Sequence, residues 1–291
     1  MQKEPKIKIF VAHHKPWYIY KDDIYVPIQV WKKNAKIDLW IIWDDTGDNI
    51  SEKNSSYAEL TAQYWVWKNY DLSDVDYVWF CHYRRYMTYT YKIKYKDIKR
   101  CIMKSIRNKE TFYKTCCNVI NTITWYNIDK IFSTEIIKNS WIPKYIQENK
   151  NDIFLTHTNF TLSSSLKHLW IDKIEVWNEV RNIIITNNPE YQKYLDERLK
   201  YIKNINYCNV YIMKKELFLE YSNWLFDILF NLEKTIKEKN MENLCMELIM
   251  TSWTRFYGCL AERLLNLWVF YQKINKKSVS NKAKFIFFEN A

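Results

Sequence analysis

Glycine is almost missing from this chain. Its 291 residues hold 2 glycines, Gly47 and Gly258, against 14 tryptophans. Average usage would supply roughly 20 glycines. Glycine serves turns with positive φ and places where backbones approach closely, and the indole of tryptophan is a poor replacement in either role. Several tryptophans in this sequence stand where a glycine makes better physical sense. The rest of the composition is ordinary. Hydrophobic residues make up 48% and charged residues 26%, which excludes general disorder and a collagen-like fibre.

The length allows one large domain or two small ones. No repeat, linker or composition shift marks a boundary, so the expectation is a single domain over 1–291, with a mobile basic tail from about residue 273. There is no charge-free apolar run long enough to span a bilayer. The N-terminal MQKEPKIKIF lacks an apolar run followed by a cleavage site, and a cytoplasmic location is expected. Lys and Arg number 44 and Asp and Glu 33, a net charge of +11. That excess favours anionic partners such as phosphate groups, nucleic acid or an acidic membrane face. The wealth of Lys, Asn, Ile and Tyr is equally what an AT-rich genome produces. The seven cysteines form no CxxC pair and are odd in number, which argues against a zinc site or a disulfide framework and for reduced thiols.

Periodicity gives a layered α/β reading. Lys6–Ala12 is β-branched and apolar and predicts a first strand opening into the polar His13, His14 and Lys15. Asp38–Asn49 predicts a second strand ending in an acidic turn. Tyr57, Leu60, Tyr64 and Trp67 share a helical face. Asp76–Tyr86 predicts a third strand that runs into His82, Arg84 and Arg85. The basic stretch after residue 88 reads as partly helical, Asn139–Tyr145 as a short strand broken by Pro143, and Ile171–Thr186 as helical, with a further helix opening at Pro189. Cys208–Lys215 predicts a late strand, and Glu216–Lys234 and Gly258–Gln272 predict amphipathic helices.

Three clusters carry chemistry. Asp44, Asp45 and Asp48 lie at the expected carboxyl end of a strand, where hard oxygen ligands can hold a divalent cation such as Mn or Mg; a solvated capping turn is the competing reading. His82 to Tyr86 (HYRRY) places Arg84 and Arg85 where ligands bind open α/β sheets. Guanidinium groups there bracket a diphosphate with paired hydrogen bonds, or else form structural ion pairs. Arg255, Glu262 and Arg263 surround Gly258; Glu262 is either a general base or a brace for its helix. His13 and His14 follow the first strand, where a base or ribose stacks. No P-loop, GxGxxG, HExxH or GxSxG is present.

The blocks IKIFVAHHKP, DDTGDNISEKNSSYAELTAQYWVWKN and CHYRRY resemble a bacterial family long classed as a domain of unknown function and found in capsular and exopolysaccharide loci. Some of its members are assigned as glycosyltransferases, including galactofuranosyltransferases. The resemblance continues through IPK, NVYIMKKELFLEYSNWLFDILFNLEK and RFYGCLAERLLNLW, and covers nearly the whole chain in order, residues 88–140 excepted. It implies a GT-A-like, Rossmann-like sheet flanked by helices, with a helical C-terminal part. It also implies transfer of a sugar from a nucleoside-diphosphate donor to a glycan or lipid-linked glycan acceptor. Lys144 and Asn209 join the pocket candidates through their matched blocks. In the family pattern Trp31, Trp40, Trp43 and Trp79 stand at positions that look like glycine, whereas Trp65 and Trp67 match its YWxWKN block. UGA codons read with the wrong table would produce that substitution.

On this reading the leaving diphosphate must be neutralised, and an inverting transfer needs a base for the acceptor hydroxyl. The strand expected to carry an Asp-x-Asp motif ends instead in CHYRRY. Neutralisation then falls to arginine and lysine, or to a cation held by the loop aspartates. The base is Glu262 or a loop aspartate such as Asp45. The rival expectations are a basic protein that stacks on single-stranded nucleic acid and a non-catalytic scaffold in polysaccharide assembly. The aromatics lie mostly in amphipathic segments, and no nucleic-acid-binding signature accompanies them.

Overall fold

The computed structural model describes residues 4–16, 19–83, 85–88, 142–156, 174–198, 209–243 and 255–287. Among these, eight strands form one mixed sheet: β1 (Ile7–His13), β2 (Tyr25–Gln29), β3 (Ile42–Trp43), β4 (Tyr77–His82), β5 (Arg85–Thr88), β6 (Ile153–Thr156), β7 (Tyr211–Lys214) and β8 (Val279–Phe287). The helices are α1 (Asn54–Tyr57), α2 (Leu60–Asn69), α3 (Ile142–Asn149), α4 (Ile174–Asn187), α5 (Gln192–Arg198), α6 (Lys215–Glu238) and α7 (Phe256–Ile274).

β1 pairs in parallel with β2 on one side and β4 on the other, and β2 carries β3, also in parallel. Beyond β4 the sheet changes character. β7 runs antiparallel to β4, β6 antiparallel to β7, and β8 parallel to β6. β5 pairs antiparallel with β8 and returns to β4 through His82 and Arg85. These five strands therefore form a closed circuit of pairings.

Alternate residues of β1 serve two cores, as the pleat requires. Phe10 and Ala12 join a cluster with Phe80 and the inner faces of α2, α4, α6 and α7. Ile9 and Val11 join Tyr25, Trp79, Phe154 and Ile212 on the other face. A strand covered on both sides needs no polar alternation, which is why IKIFVAH reads as a nearly unbroken apolar run. The amphipathic stripe of α6 lies against the sheet: Phe218 stacks on Phe80 with ring centroids 5.4 Å apart, and Tyr221 meets Tyr211 edge-on at 5.6 Å.

Several expectations need correction. The segment from residue 279, expected to be part of a mobile tail, forms β8. The expected strand Asp38–Asn49 shrinks to Ile42–Trp43, because left-handed Trp40 and the acidic turn interrupt it. Asn139–Tyr145, read as a strand, overlaps helix α3; Pro143 sits in the first turn, where its missing N–H costs nothing. Asp76–Tyr86 is two strands rather than one, since the chain reverses after His82. Tyr57 and Leu60 are divided by Ala58, whose φ of 51° ends α1 before α2 begins. The basic stretch 89–141 lies outside the described residues.

Truncating Phe218 to alanine removes a fully buried ring that joins α6 to β4. The expected cost is about 3–5 kcal/mol, read as a lower urea midpoint with an unchanged slope.

Candidate functional site

The carboxyl ends of the parallel strands β1, β2, β3 and β4 lie along one edge, the edge at which open α/β sheets take ligands. The register pairs Ala12 with His82, so His13 and His14 emerge beside His82 and Tyr83. The four rings touch. His14 meets Tyr83 edge-on at 5.0 Å and His82 at 5.9 Å, and His13 lies 5.8 Å from Tyr83. His13 is fully buried, and neither of its ring nitrogens has a hydrogen-bond partner. A buried polar group left in this way requires a specific reason.

β7 runs opposite to β4, and its pairing of Tyr211 with Phe80 places Asn209 level with His82 on the same edge. Asn209 adopts a left-handed backbone at φ 49°. Its amide donates to Glu59 Oε1 at 2.9 Å and to the Gly258 carbonyl at 3.0 Å, while its own oxygen is buried without a partner. Glu59 Oε2 faces Arg255 Nη2 at 3.4 Å. Arg263 donates to the Cys259 carbonyl at 2.6 Å. Burial raises the pKa of the Cys259 thiol; Glu262 and Glu59 act in the same direction, and Arg255 and Arg263 against it. Those four charged groups therefore surround the first turns of α7. The backbone approaches closely at Gly258: a Cβ would lie 3.2 Å from both the Ala58 Cβ and the Tyr57 carbonyl oxygen, a tight contact.

The acidic loop is built differently from a cation site. Asp44 is fully buried. It accepts from the N–H groups of Trp31 (3.1 Å) and Lys32 (3.2 Å) and from Ser51 Oγ (2.6 Å). Burial raises its pKa, and these hydrogen bonds oppose the shift. Asp48 accepts from Tyr64 Oη at 2.9 Å, and its backbone is clasped by Asn69. Asp45 retains one buried oxygen without a partner. The three carboxylates do not converge, and among the described residues no three His, Cys, Asp or Glu side chains are placed to share a cation. The expected Asp44, Asp45 and Asp48 metal site does not fit this geometry: Asp44 and Asp48 brace loops.

His13, His14, His82, Asn209, Arg255, Glu262 and Arg263 are thus drawn toward one edge. Asp44 and Asp45 follow β3 on the same edge, in the neighbouring loop. Arg84 lies outside the described residues. Arg85 and Lys144 are placed by backbone only, in β5 and α3. Sequence reasoning missed Glu59, which ties Asn209 to Arg255; it sits inside a motif block with no spacing signal of its own. It also missed β2, whose Pro27 disguises it.

The fold, with its parallel half and this polar edge, is that of a GT-A-like glycosyltransferase. The chain belongs to the family described as a domain of unknown function (DUF4422), whose sequence pattern matches residues 8–273. Among solved structures it is similar to one titled "WbbM bifunctional glycosytransferase apo structure", at 28% identity and a TM-score of 0.73. That match covers 98% of this chain but 46% of the other, so this chain spans less than half of that protein. No curated protein matches it.

Burial, aided by neighbouring His14, lowers the pKa of His13 from 6.5 to about 3. An unfolded chain binds a proton below pH 6.5 that the folded chain refuses. The stabilisation is therefore complete above pH 6.5 and declines as the pH falls toward 3, by up to about 1.4 kcal/mol per pH unit. His13→Gln should remove that part of the slope between about pH 6 and about pH 4, as read by urea unfolding across pH.

Proposed function

We propose that this protein is a glycosyltransferase that moves a hexose, galactofuranose being one candidate, from a nucleoside-diphosphate donor to a growing cell-surface polysaccharide or lipid-linked glycan. The observation that carries the reading is His13: a buried, neutral imidazole without a hydrogen-bond partner, at the ligand edge of a GT-A-like sheet, beside His14, His82 and Tyr83. The similarity to a chain titled as a glycosyltransferase supports the same class of reaction.

In this mechanism the acceptor hydroxyl oxygen attacks the anomeric carbon. The bond from that carbon to the diphosphate oxygen breaks, and the electron pair leaves with the nucleoside diphosphate. The acceptor proton passes to a carboxylate, either Glu262 or Asp45, one oxygen of which is buried without a partner. Arg255 and Arg263, with Arg84, Arg85 and Lys144, balance the charge that develops on the diphosphate. His14 and His82 hold the nucleotide, with His13 and Asn209 buried behind them at the same edge. No step is routed through a metal: of the loop carboxylates, Asp44 and Asp48 are committed to loop contacts. A lipid-diphosphate acceptor at the inner membrane face suits the net charge of +11. No described helix is long and apolar enough to cross a membrane.

A transfer assay with a nucleoside-diphosphate hexose tests both parts. Activity should persist in excess chelator; complete loss would overturn the cationic version. Glu262→Gln should lower kcat by about 10²–10⁴-fold with little change in donor KM, while a drop in melting temperature with kcat intact would assign Glu262 to bracing α7.

A further inference from the structure

We propose that residues 31 and 40 are glycine in the chain as its own cell makes it, their codons being UGA read as glycine. The inference does not depend on what the sheet edge binds. It starts from the backbone. Trp31 has φ 62° and ψ 26°, and Trp40 has φ 57°. Gly47, one of the two glycines, has φ 58°. The three share one left-handed conformation, which a Cβ disfavours and glycine adopts freely.

Neither conformation is incidental. The Trp31 N–H donates to Asp44 Oδ2, the next N–H to Asp44 Oδ1, and the Trp31 carbonyl accepts from the Asn34 N–H. Relaxing φ at residue 31 would therefore unseat a buried carboxylate. The Trp40 N–H is held by Asp38 Oδ1 at 2.8 Å, a turn that fixes the backbone two residues on. Nor do the indoles gain by burial what the backbone loses. Trp40 is 87% exposed and Trp31 41%.

Other residues in the chain also adopt positive φ. Asn209 and Asn240 are of the type that tolerates it, and Ala58, Lys150, Arg255 and Lys276 have no bulky ring. Two tryptophans in this region, within a chain that has 2 glycines and 14 tryptophans, are a separate anomaly. A codon misreading accounts for the strained angles and shifts both counts in the observed direction. Trp43 and Trp79 lie in strands, and their backbones make no such demand. The geometry therefore assigns positions 31 and 40. In the glycine form two indoles vanish: one from the loop that leaves β2, where bare backbone is left at the ligand edge, and one from the segment that approaches the amino end of β3.

Peptide mass spectrometry of the chain isolated from its source cells reads the residue directly. Peptides spanning 31 and 40 should carry the mass of glycine; tryptophan at either position overturns the proposal. A recombinant series tests the physical cause separately. Trp31→Gly and Trp40→Gly should each raise the melting temperature by roughly 2–4 °C and exceed Trp31→Ala and Trp40→Ala, since alanine keeps the strained Cβ. Alanine variants as stable as the glycine ones would overturn the left-handed argument.

Discussion

The pairing of β1 with β4 governs this molecule. It runs in register from Ile7 opposite Tyr77 to Ala12 opposite His82, and both strands are covered on both faces. A slip of one residue would exchange the two cores, placing Phe10 and Phe80 where Ile9 and Trp79 now lie, so the register is strongly specified. The site follows from it. His82 and the His13–His14 pair, far apart in sequence, meet because their strands end side by side, and β7 brings Asn209 to the same level from the opposite direction.

Around that frame, polar contacts connect blocks that sequence alone shows as separate. The turn after β3 is clasped by α2: Tyr64 reaches Asp48, the Trp65 indole donates to Thr46, and Asn69 bonds the Asp48 backbone. Gly47 lies so close to Asn69 that a Cβ would collide with its side chain. The DDTGDN and YWVWKN blocks are two halves of one clasp. Asp44 performs the complementary task, joining the exit of β2 to Ser51. A buried carboxylate is costly unless hydrogen-bonded, and the Trp31 and Lys32 N–H groups with the Ser51 and Thr61 hydroxyls meet that need. The acids that resembled a metal site by type are thus largely the fastening of the loop that shapes the edge.

The sequence was informative wherever burial imposed a simple period. β1, β4, α6 and α7 were legible because one or both faces are apolar throughout. β2 was not, since Pro27 interrupts an otherwise strand-like YVPIQ. α3 was misread because a proline that breaks a strand is also at home in a first helical turn. β8 carries lysines, a serine and an asparagine that suggest a solvated tail, and only long-range pairing makes it a strand. At the site, residue type identified the histidines and the charged group near Gly258. It could not separate Asp44 the brace from Asp45 with its free oxygen, because that difference depends on which backbone N–H groups lie nearby.

The position of β8 has a consequence for how the protein comes into being. Arg85 pairs with Phe287, and Ile153 with Val279, so the circuit of strands closes only after about two hundred residues of intervening chain have been synthesised. While the ribosome is still at work, the nascent β5 and β6 have no lasting neighbour on that side and expose unpaired amide edges. Native pairing of this kind is slow to form and vulnerable to association between copies. Yield from a cell should therefore be governed by holdase chaperones and translation speed.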